Sequence, residues 1–369
     1  MKILLLFIII IHGLIHLIGF AKAFNPSGVH QLTGTISKTS GLIWLTAALL
    51  FAAVFLLILL QKDSWWVIAA AAVLLSQILI IQNWNDAKFG TAANLIILIP
   101  VIFSIMNSLP SSYINIYKTE VKKRLIHTED NIIVTEKDIQ HLPKPVKMYL
   151  RYTGSIGKPA IKNFRVNFEG SMRRDLSAEW MNISSRQYNF INNPARLFYI
   201  KSSMYGIPFD GLHAYVDNSA VMQIKIASIL QVVDARGDKM NQSENVTLFN
   251  DICLLAPSAL IDKNIKWEPV DALTAIGRFT HNGITISATL YFNEKGELKN
   301  FVSDDRFLSA DGKTYHNYRW STPVHEYKDI NGRKITAYAE AVWSMPEGEF
   351  TYAKFRVEEA EYNCTEFKT

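Results

Sequence analysis

The chain has 369 residues and carries 38 Lys and Arg against 33 Asp and Glu, a length beyond one typical domain and a balance too even for a nucleic-acid-binding surface. Residues 1–109 hold five Lys, no Arg and two Asp, a net charge of +3, which leaves +2 for the rest. Cys253 and Cys364 lie far apart and outside any metal-ligand spacing. A disulfide between them would need an oxidising space, and their flanks read instead as a buried helix position and a strand end.

Four apolar runs fill 3–20, 42–60, 65–81 and 91–106, each approaching the ~20 residues that cross bilayer hydrocarbon. A four-helix transmembrane domain over 1–109 is expected, making this a multi-pass protein of the cytoplasmic membrane. Lys2, the first run and Ala21-Lys22-Ala23 imitate a cleaved signal peptide. The run is longer than a signal's apolar region, contains two histidines and precedes further spans, which favours a retained helix. Four spans put both termini on one side, with Lys2, Lys62, Lys118, Lys122, Lys123 and Arg124 there against Lys22, Lys38 and Lys88 opposite. The positive-inside bias favours a cytoplasmic position for the large domain, the extracytoplasmic side being the alternative.

His12 and His16 stand four apart, one turn along a single helix face. Such a pair serves as glue between spans, in proton or quinone chemistry, or as metal or haem ligands, and glue is the commonest of these. Asn85 and Asp86 lie in the turn between the third and fourth runs, and Asn94 lies in the fourth run. If His16 meets Asp86, the carboxylate would fix the imidazole tautomer. The alternative, which we prefer, is a capped turn with Asp86 or Thr91 at a helix start and Trp84 in the aromatic belt.

Residues 110–136 read as a basic linker whose Lys118, Lys122, Lys123 and Arg124 sit beside anionic headgroups. A soluble domain follows over 137–369. It opens on a helix at 137–151, interrupted by Pro143 and Pro145 and closed by Gly154. From Asn163 the period becomes two: Phe164, Val166 and Phe168 form one face, Met222, Ile224 and Ile226 another, and Ile284, Ile286, Ala288, Leu290 and Phe292 a third. Hairpin signals recur at Lys295-Gly296, Asp311-Gly312, Asn331-Gly332 and Glu347-Gly348. One long helix, 241–260, interrupts the strands, with Asn241 and Glu244 in capping-box spacing and Leu248, Ile252, Leu255 and Ala259 on its apolar face. The expected fold is α+β: a curved antiparallel sheet or half-barrel of about ten strands with that helix packed in it. Such a cup holds an apolar ligand or an ordinary core. The ligand candidates are Leu248, Ile252, Leu255, Ile286, Trp267, Trp320 and Trp343, although tryptophans like these, Trp180 included, are more often core or rim.

No phosphate loop, nucleophile elbow, HExxH or CxxC occurs, so no catalytic residue, metal or cofactor is expected. Asp304, Asp305 and Arg306 read as an ion cluster, and Glu358, Glu359 and Glu361 as a solvated strand face. His213, His281, His316 and His325 are scattered without metal spacing.

The segments 12–20 (HGLIHLIGF), 86–94 (DAKFGTAAN), 142–157 (LPKPVKMYLRYTGSIG) and 341–352 (AVWSMPEGEFTY) occur in that order. With Gly170, Pro194-Ala195-Arg196, Asp305-Arg306 and Trp320, they resemble a family of uncharacterised bacterial membrane proteins known only as a domain of unknown function. The resemblance covers nearly the whole chain and brings no activity or catalytic residue with it. The soluble part is similar in strand order to the lipoprotein-carrier (Lol-type) half-barrel, which implies an apolar ligand and, since such carriers work outside the cytoplasm, conflicts with the charge count. The expected function is a membrane-anchored binding module for membrane lipid or an apolar small molecule. The alternatives are a redox or proton-handling bundle using His12, His16 and Asp86, and an assembly or sensing protein that binds another protein.

Overall fold

The computed structural model describes residues 2–125, 132–204 and 207–368 and divides into two compact units, Met1–Leu109 and Pro110–Thr369. In the first unit, α1 (Lys2–Phe24), α2 (Lys38–Leu59), α3 (Trp65–Gln82) and α5 (Gly90–Ser108) are long and apolar enough to cross a membrane, and the short α4 (Trp84–Ala87) precedes the last of them. Their side chains are distributed in the inverse of a water-soluble protein. Phe7, Leu14, Leu49, Leu56, Leu74 and Ile78 are exposed, while His12, His16, Ser76 and Asn94 are buried. That pattern suits an apolar solvent, where polar groups must find partners inside the bundle. Ile9, Phe51, Val54, Val73, Ile97 and Val101 make its core. Gly19 lets α1 lie flat on the Trp44 ring of α2, because a Cβ there would come within 2.1 Å of Trp44 Cδ2.

The second unit begins with α6 (Tyr113–Arg124) and α7 (Lys144–Tyr152). Six strands follow: β1 (Asn163–Met172), β2 (Met181–Phe190), β3 (Ala195–Met204), β4 (Ile207–Val216), β5 (Ser219–Ile226) and β6 (Leu230–Ala235). Next come α8 (Asp238–Leu255), a 3-10 turn at Pro257–Ile261, β7 (Ile265–Pro269), β8 (Thr274–His281), β9 (Ile284–Phe292) and β10 (Leu298–Ser303). The chain closes with β11 (Phe307–Leu308), β12 (His316–Asn317), β13 (Arg319–Ile330), β14 (Arg333–Met345) and β15 (Gly348–Tyr362). Thirteen strands form one antiparallel sheet in the order β6-β5-β4-β3-β2-β1-β15-β14-β13-β10-β9-β8-β7, larger than the ten expected and not closed. The sheet is a meander whose first and last strands pair, Phe164 opposite Tyr362, so its free edges are β6 and β7. The helix that joins those edges in sequence, α8, lies on the inner face and is buried on all sides from Ser243 to Leu255.

Three boundaries differ from the sequence reading. Residues 113–124 of the expected linker form α6, whose Tyr113, Tyr117 and Val121 pack under Tyr188, Leu197, Tyr199 and Leu212 on the outer face of β2–β4; the stretch 126–131 lies outside the described residues. The helix expected at 137–151 starts only after Pro143, which fixes the extended entry to α7. The central helix starts earlier than its capping signal. Gly237 (φ +93°) is its N-cap, Asn241 accepts from the Ala220 backbone instead, and Glu244 is taken by an ion pair. The hairpin glycines fall where the turns need left-handed backbone, as at Asn331-Gly332 (φ +54° and +77°).

Candidate functional site

The polar interior of the helical unit is one chain of neutral hydrogen bonds. His16 Nδ1 donates to the His12 carbonyl at 2.8 Å, so its Nε2 accepts from Ser76 Oγ at 3.0 Å. His12 Nε2 reaches Asn94 Oδ1 at 2.9 Å and Ser76 Oγ at 3.1 Å. Asn94 Nδ2 donates to Gln77 Oε1 at 3.0 Å, and Gln77 Nε2 to Thr91 Oγ1 at 3.2 Å. His12, His16 and Asn94 are thus brought together, joined by Ser76 and Gln77, which sequence reading passed over as ordinary span residues. Asp86 is not among them: it binds the Thr33 backbone N–H at 2.8 Å and the Thr33 hydroxyl at 2.9 Å, contacts that hold its carboxyl below the usual range. His16 therefore meets Ser76 rather than Asp86. Asn85 is exposed in α4 and stands outside the chain. Among the described residues no group of three or more His, Cys, Asp and Glu could hold a metal ion.

In the sheet unit the seven expected ligand residues lie in one core. Leu248, Ile252 and Leu255 of α8 pack with Ile286, Trp320 and Trp343, all buried, and half-buried Trp267 lies against Phe249 with its indole N–H on the Leu260 carbonyl. Val246, Leu248 and Phe249 expose nothing even to a water-sized sphere, and Phe249 stacks on Phe279 (5.4 Å) and edges Phe301 (5.6 Å). These side chains pack against one another between helix and sheet as a core does.

The opposite side of α8 is polar, which the sequence reading missed. Ser185, Gln187 and Asn189 of β2 point inward, because Tyr188 and Phe190 are taken by α6 on the outer face. Beside them, Arg196 Nε donates to Asp251 Oδ2 at 2.7 Å and Arg196 Nη1 to Glu244 Oε2 at 3.1 Å. Gln187 and Asn189 donate to the same Asp251 oxygen at 2.7 and 3.1 Å. Burial by itself would raise the Glu244 carboxyl, but Arg196, His213 and Arg306 outweigh it and hold the group at about 2. Glu244 Oε1 has no hydrogen-bond partner among the described residues, since His213 Nδ1 stops 3.7 Å away. A second cation, Arg306, lies over Trp320 (4.5 Å) and Trp343 (5.1 Å) and bonds Thr247 Oγ1 and Tyr352 Oη at 3.2 and 3.3 Å. Arg196, Arg306, Trp320 and Trp343, which the sequence motifs quoted separately, thus converge on α8.

α8 crosses only the rows next to Arg196. The row of Val166, Gln187, Phe198, His213 and Met222 borders the helix, and two rows of the same inner face lie beyond it: Phe168, Ser185, Ile200, Gly211 and Ile224; then Gly170, Ile183, Ser202, Phe209 and Ile226. Ile183, Phe198 and Ile200 cluster with Phe168, Met172 and Phe355, and the side chains of Phe168, Met172, Phe209, Met222, Ile224, Ile226 and Phe355 stay half-buried. The result is an apolar trough five strands wide, about 19 Å at strand spacing.

Two of the four basic residues of α6 are tied up in ion pairs. Lys123 and Arg124 pair with Glu120 (2.6 Å each), and Arg124 also pairs with Asp217 (2.8 Å). These groups border an open pocket of about 370 Å³ that includes Lys162, Asn163, Phe190 and Asn193.

Residues 132–355 match the model of DUF6544, a family of unknown function. No curated protein matches the chain. Among solved structures it is similar to a putative outer membrane lipoprotein-sorting protein domain from Vibrio parahaemolyticus (7% identity, 54% of this chain and 85% of that one, TM-score 0.33). It is also similar to a DUF1329 family protein from Desulfovibrio piger (10%, 60% and 93%, TM-score 0.35) and a LolA superfamily protein from Nitrosomonas europaea (9%, 59% and 93%, TM-score 0.34). At those scores the likeness carries no argument about ligand or activity.

Proposed function

The chain belongs to the DUF6544 family of unknown function, and for it we propose a multi-pass, membrane-anchored module that takes a lipid acyl chain or similar apolar ligand in the trough that α8 leaves bare. The observation that carries this reading is the row of half-buried apolar side chains on the inner face, with no helix over them, beside a helix that is buried all round. A soluble fold covers such a surface unless something else does. Each methylene buried there contributes about 0.8 kcal/mol, so half a dozen offset the lower range of association costs, about 4 kcal/mol. The trough is covalently linked to the chain's own anchor, which keeps it at high local lipid concentration. The Lys/Arg count favours the cytoplasmic side for this unit, with the extracytoplasmic side as the alternative. The test uses the full chain in nanodiscs with a long-chain fatty acid bearing a diazirine. Labelling is expected in peptides of β1, β3 and β5 and should fall severalfold in Ile224→Asp; label confined to 2–108, or unchanged in that variant, would reject the proposal.

One observation favours a second reading, proton handling by the bundle: the hydrogen-bond chain runs unbroken from His16 to Thr91 in the first turn of α5. Proteoliposomes of Ser76→Ala and His16→Ala would then lose proton flux that the unaltered chain supports; equal flux in all three disposes of it.

A further inference from the structure

At the end of the trough furthest from α8, the start of β4 and the β5–β6 turn carry exposed apolar side chains where such positions are ordinarily polar. Ile207 opens β4 at 52% exposure, and Ile229 (52%), Leu230 (62%) and Val232 (45%) form the β5–β6 turn and edge. They are neighbours: Ile226 pairs with Leu230 and with Phe209, and the Ala227 N–H donates to the Pro208 carbonyl at 2.7 Å. Leu176 (50%) and Trp180 (36%), in the β1–β2 loop, extend the same end of the sheet. No other region of this unit gathers exposed aliphatic side chains at successive turns among the described residues.

Chain connectivity says what lies next to them. α5 ends at Ser108, and three residues later the Ser111 carbonyl accepts from Lys225 Nζ at 3.4 Å, while Lys225 also stands 4.4 Å from the Tyr113 ring. Three residues span about 10 Å at most. Lys225 is the penultimate residue of β5, so a tether of three residues joins Ser108 to the carbonyl that the lysine beside the β5–β6 turn reaches. α6 then leads away: its last residue, Arg124, sits on Asp217 in the β4–β5 turn at the far end of the same strands, about 18 Å from its start. The end of α6 that carries Lys122, Lys123 and Arg124 thus lies at the opposite end of the strands from the apolar turns, and two of its charges, Lys123 and Arg124, are paired.

We propose that Ile207, Ile229, Leu230 and Val232 form a lip seated in the headgroup–acyl boundary of the bilayer that holds α5. Through that lip the trough opens directly onto membrane lipid. The inference rests on the proposed membrane-anchored, trough-binding function and names where its ligand enters. The occupant is lipid rather than a protein because only Leu109 and Pro110 separate Ser108 of the apolar α5 from Ser111, whose carbonyl Lys225 reaches, a tether too short to carry the lip far from a bilayer. Lys225 suits the same place, its stem along apolar surface and its ammonium among carbonyls.

Cys253 and Cys364 are both buried, so an introduced surface thiol can be labelled alone. The full chain, with a bimane on Ile229→Cys or Leu230→Cys, is placed in nanodiscs containing lipid spin-labelled high on the acyl chain. The control is Asn193→Cys in the β2–β3 turn at the opposite end. Quenching at 229 and 230 should exceed that at 193 severalfold and persist from 0.1 to 1 M salt, because the contact is apolar. Equal quenching at both ends overturns the lip. Equal quenching with fatty-acid labelling of the trough intact leaves the binding function standing without it; strong quenching at 229 with an unlabelled trough does the reverse.

Discussion

Inside the helical unit His12, His16, Ser76, Gln77, Thr91 and Asn94 are bonded as neutral groups, whereas inside the sheet unit Arg196, Glu244 and Asp251 bury ion pairs. The difference follows from what surrounds each core. A bundle whose outer surface is Leu, Ile and Phe suits a margin without water, where imidazoles and amides close their donors and acceptors on one another. α8 borders an inner face that opens to solvent a few ångströms away at His213, and full charges persist there because guanidinium and carboxylates arrive together. One network holds spans together; the other fixes a helix that the apolar core alone would grip on only one side.

The comparison breaks hardest at Arg196. Arg196→Ala leaves Glu244 and Asp251 buried without a counter-charge and should cost about 3–5 kcal/mol, read as an earlier urea midpoint and faster hydrogen exchange over 238–255. Adding Glu244→Gln and Asp251→Asn should restore most of it, since the uncompensated charge and not the lost contact is the main penalty. Acid acts on the same group more gently. Glu244 is held at about 2, below its ordinary 4.5, so its contribution is complete above about pH 4.5 and is lost as pH falls from there toward 2. Exchange over α8 should accelerate across that window in the unaltered chain and be flat across it in Glu244→Gln. In the bundle, Ser76→Ala removes a neutral partner of both histidines and should cost only about 1 kcal/mol, measured by steric trapping or thermal unfolding in bilayers. Smallest is Lys123→Gln on α6, an exposed pair expected to change stability by less than about 0.5 kcal/mol and membrane contact not at all.

The four long apolar helices, the strand regime and the hairpin turns were legible because each rests on a local run, a local period or a left-handed turn residue. What escaped was set by partners distant in sequence. His16 meets Ser76, 60 positions on, and Arg196 meets Glu244, 48 positions on. The pattern of α8 showed one apolar stripe, at Leu248, Ile252 and Leu255, and said nothing of a second buried side, since Glu244 and Asp251 look like solvated residues until Arg196 is opposite them. β2 held the available clue: polar Ser185, Gln187 and Asn189 alternate with Tyr188 and Phe190, and which side faces inward was decided by α6, which read as linker. Leu248, Ile252 and Leu255, chosen from α8 as ligand residues, pack in the core between helix and sheet.

The account turns on where an apolar guest sits, and hydrogen exchange of the full chain in nanodiscs, with and without a long-chain fatty acid, tests it most directly. Added ligand should slow exchange in 198–203 and 209–226 while leaving 238–255 unchanged. Faster exchange over 238–255, meaning that the ligand enters by prising α8 from the sheet, or changes confined to 2–108, would contradict it.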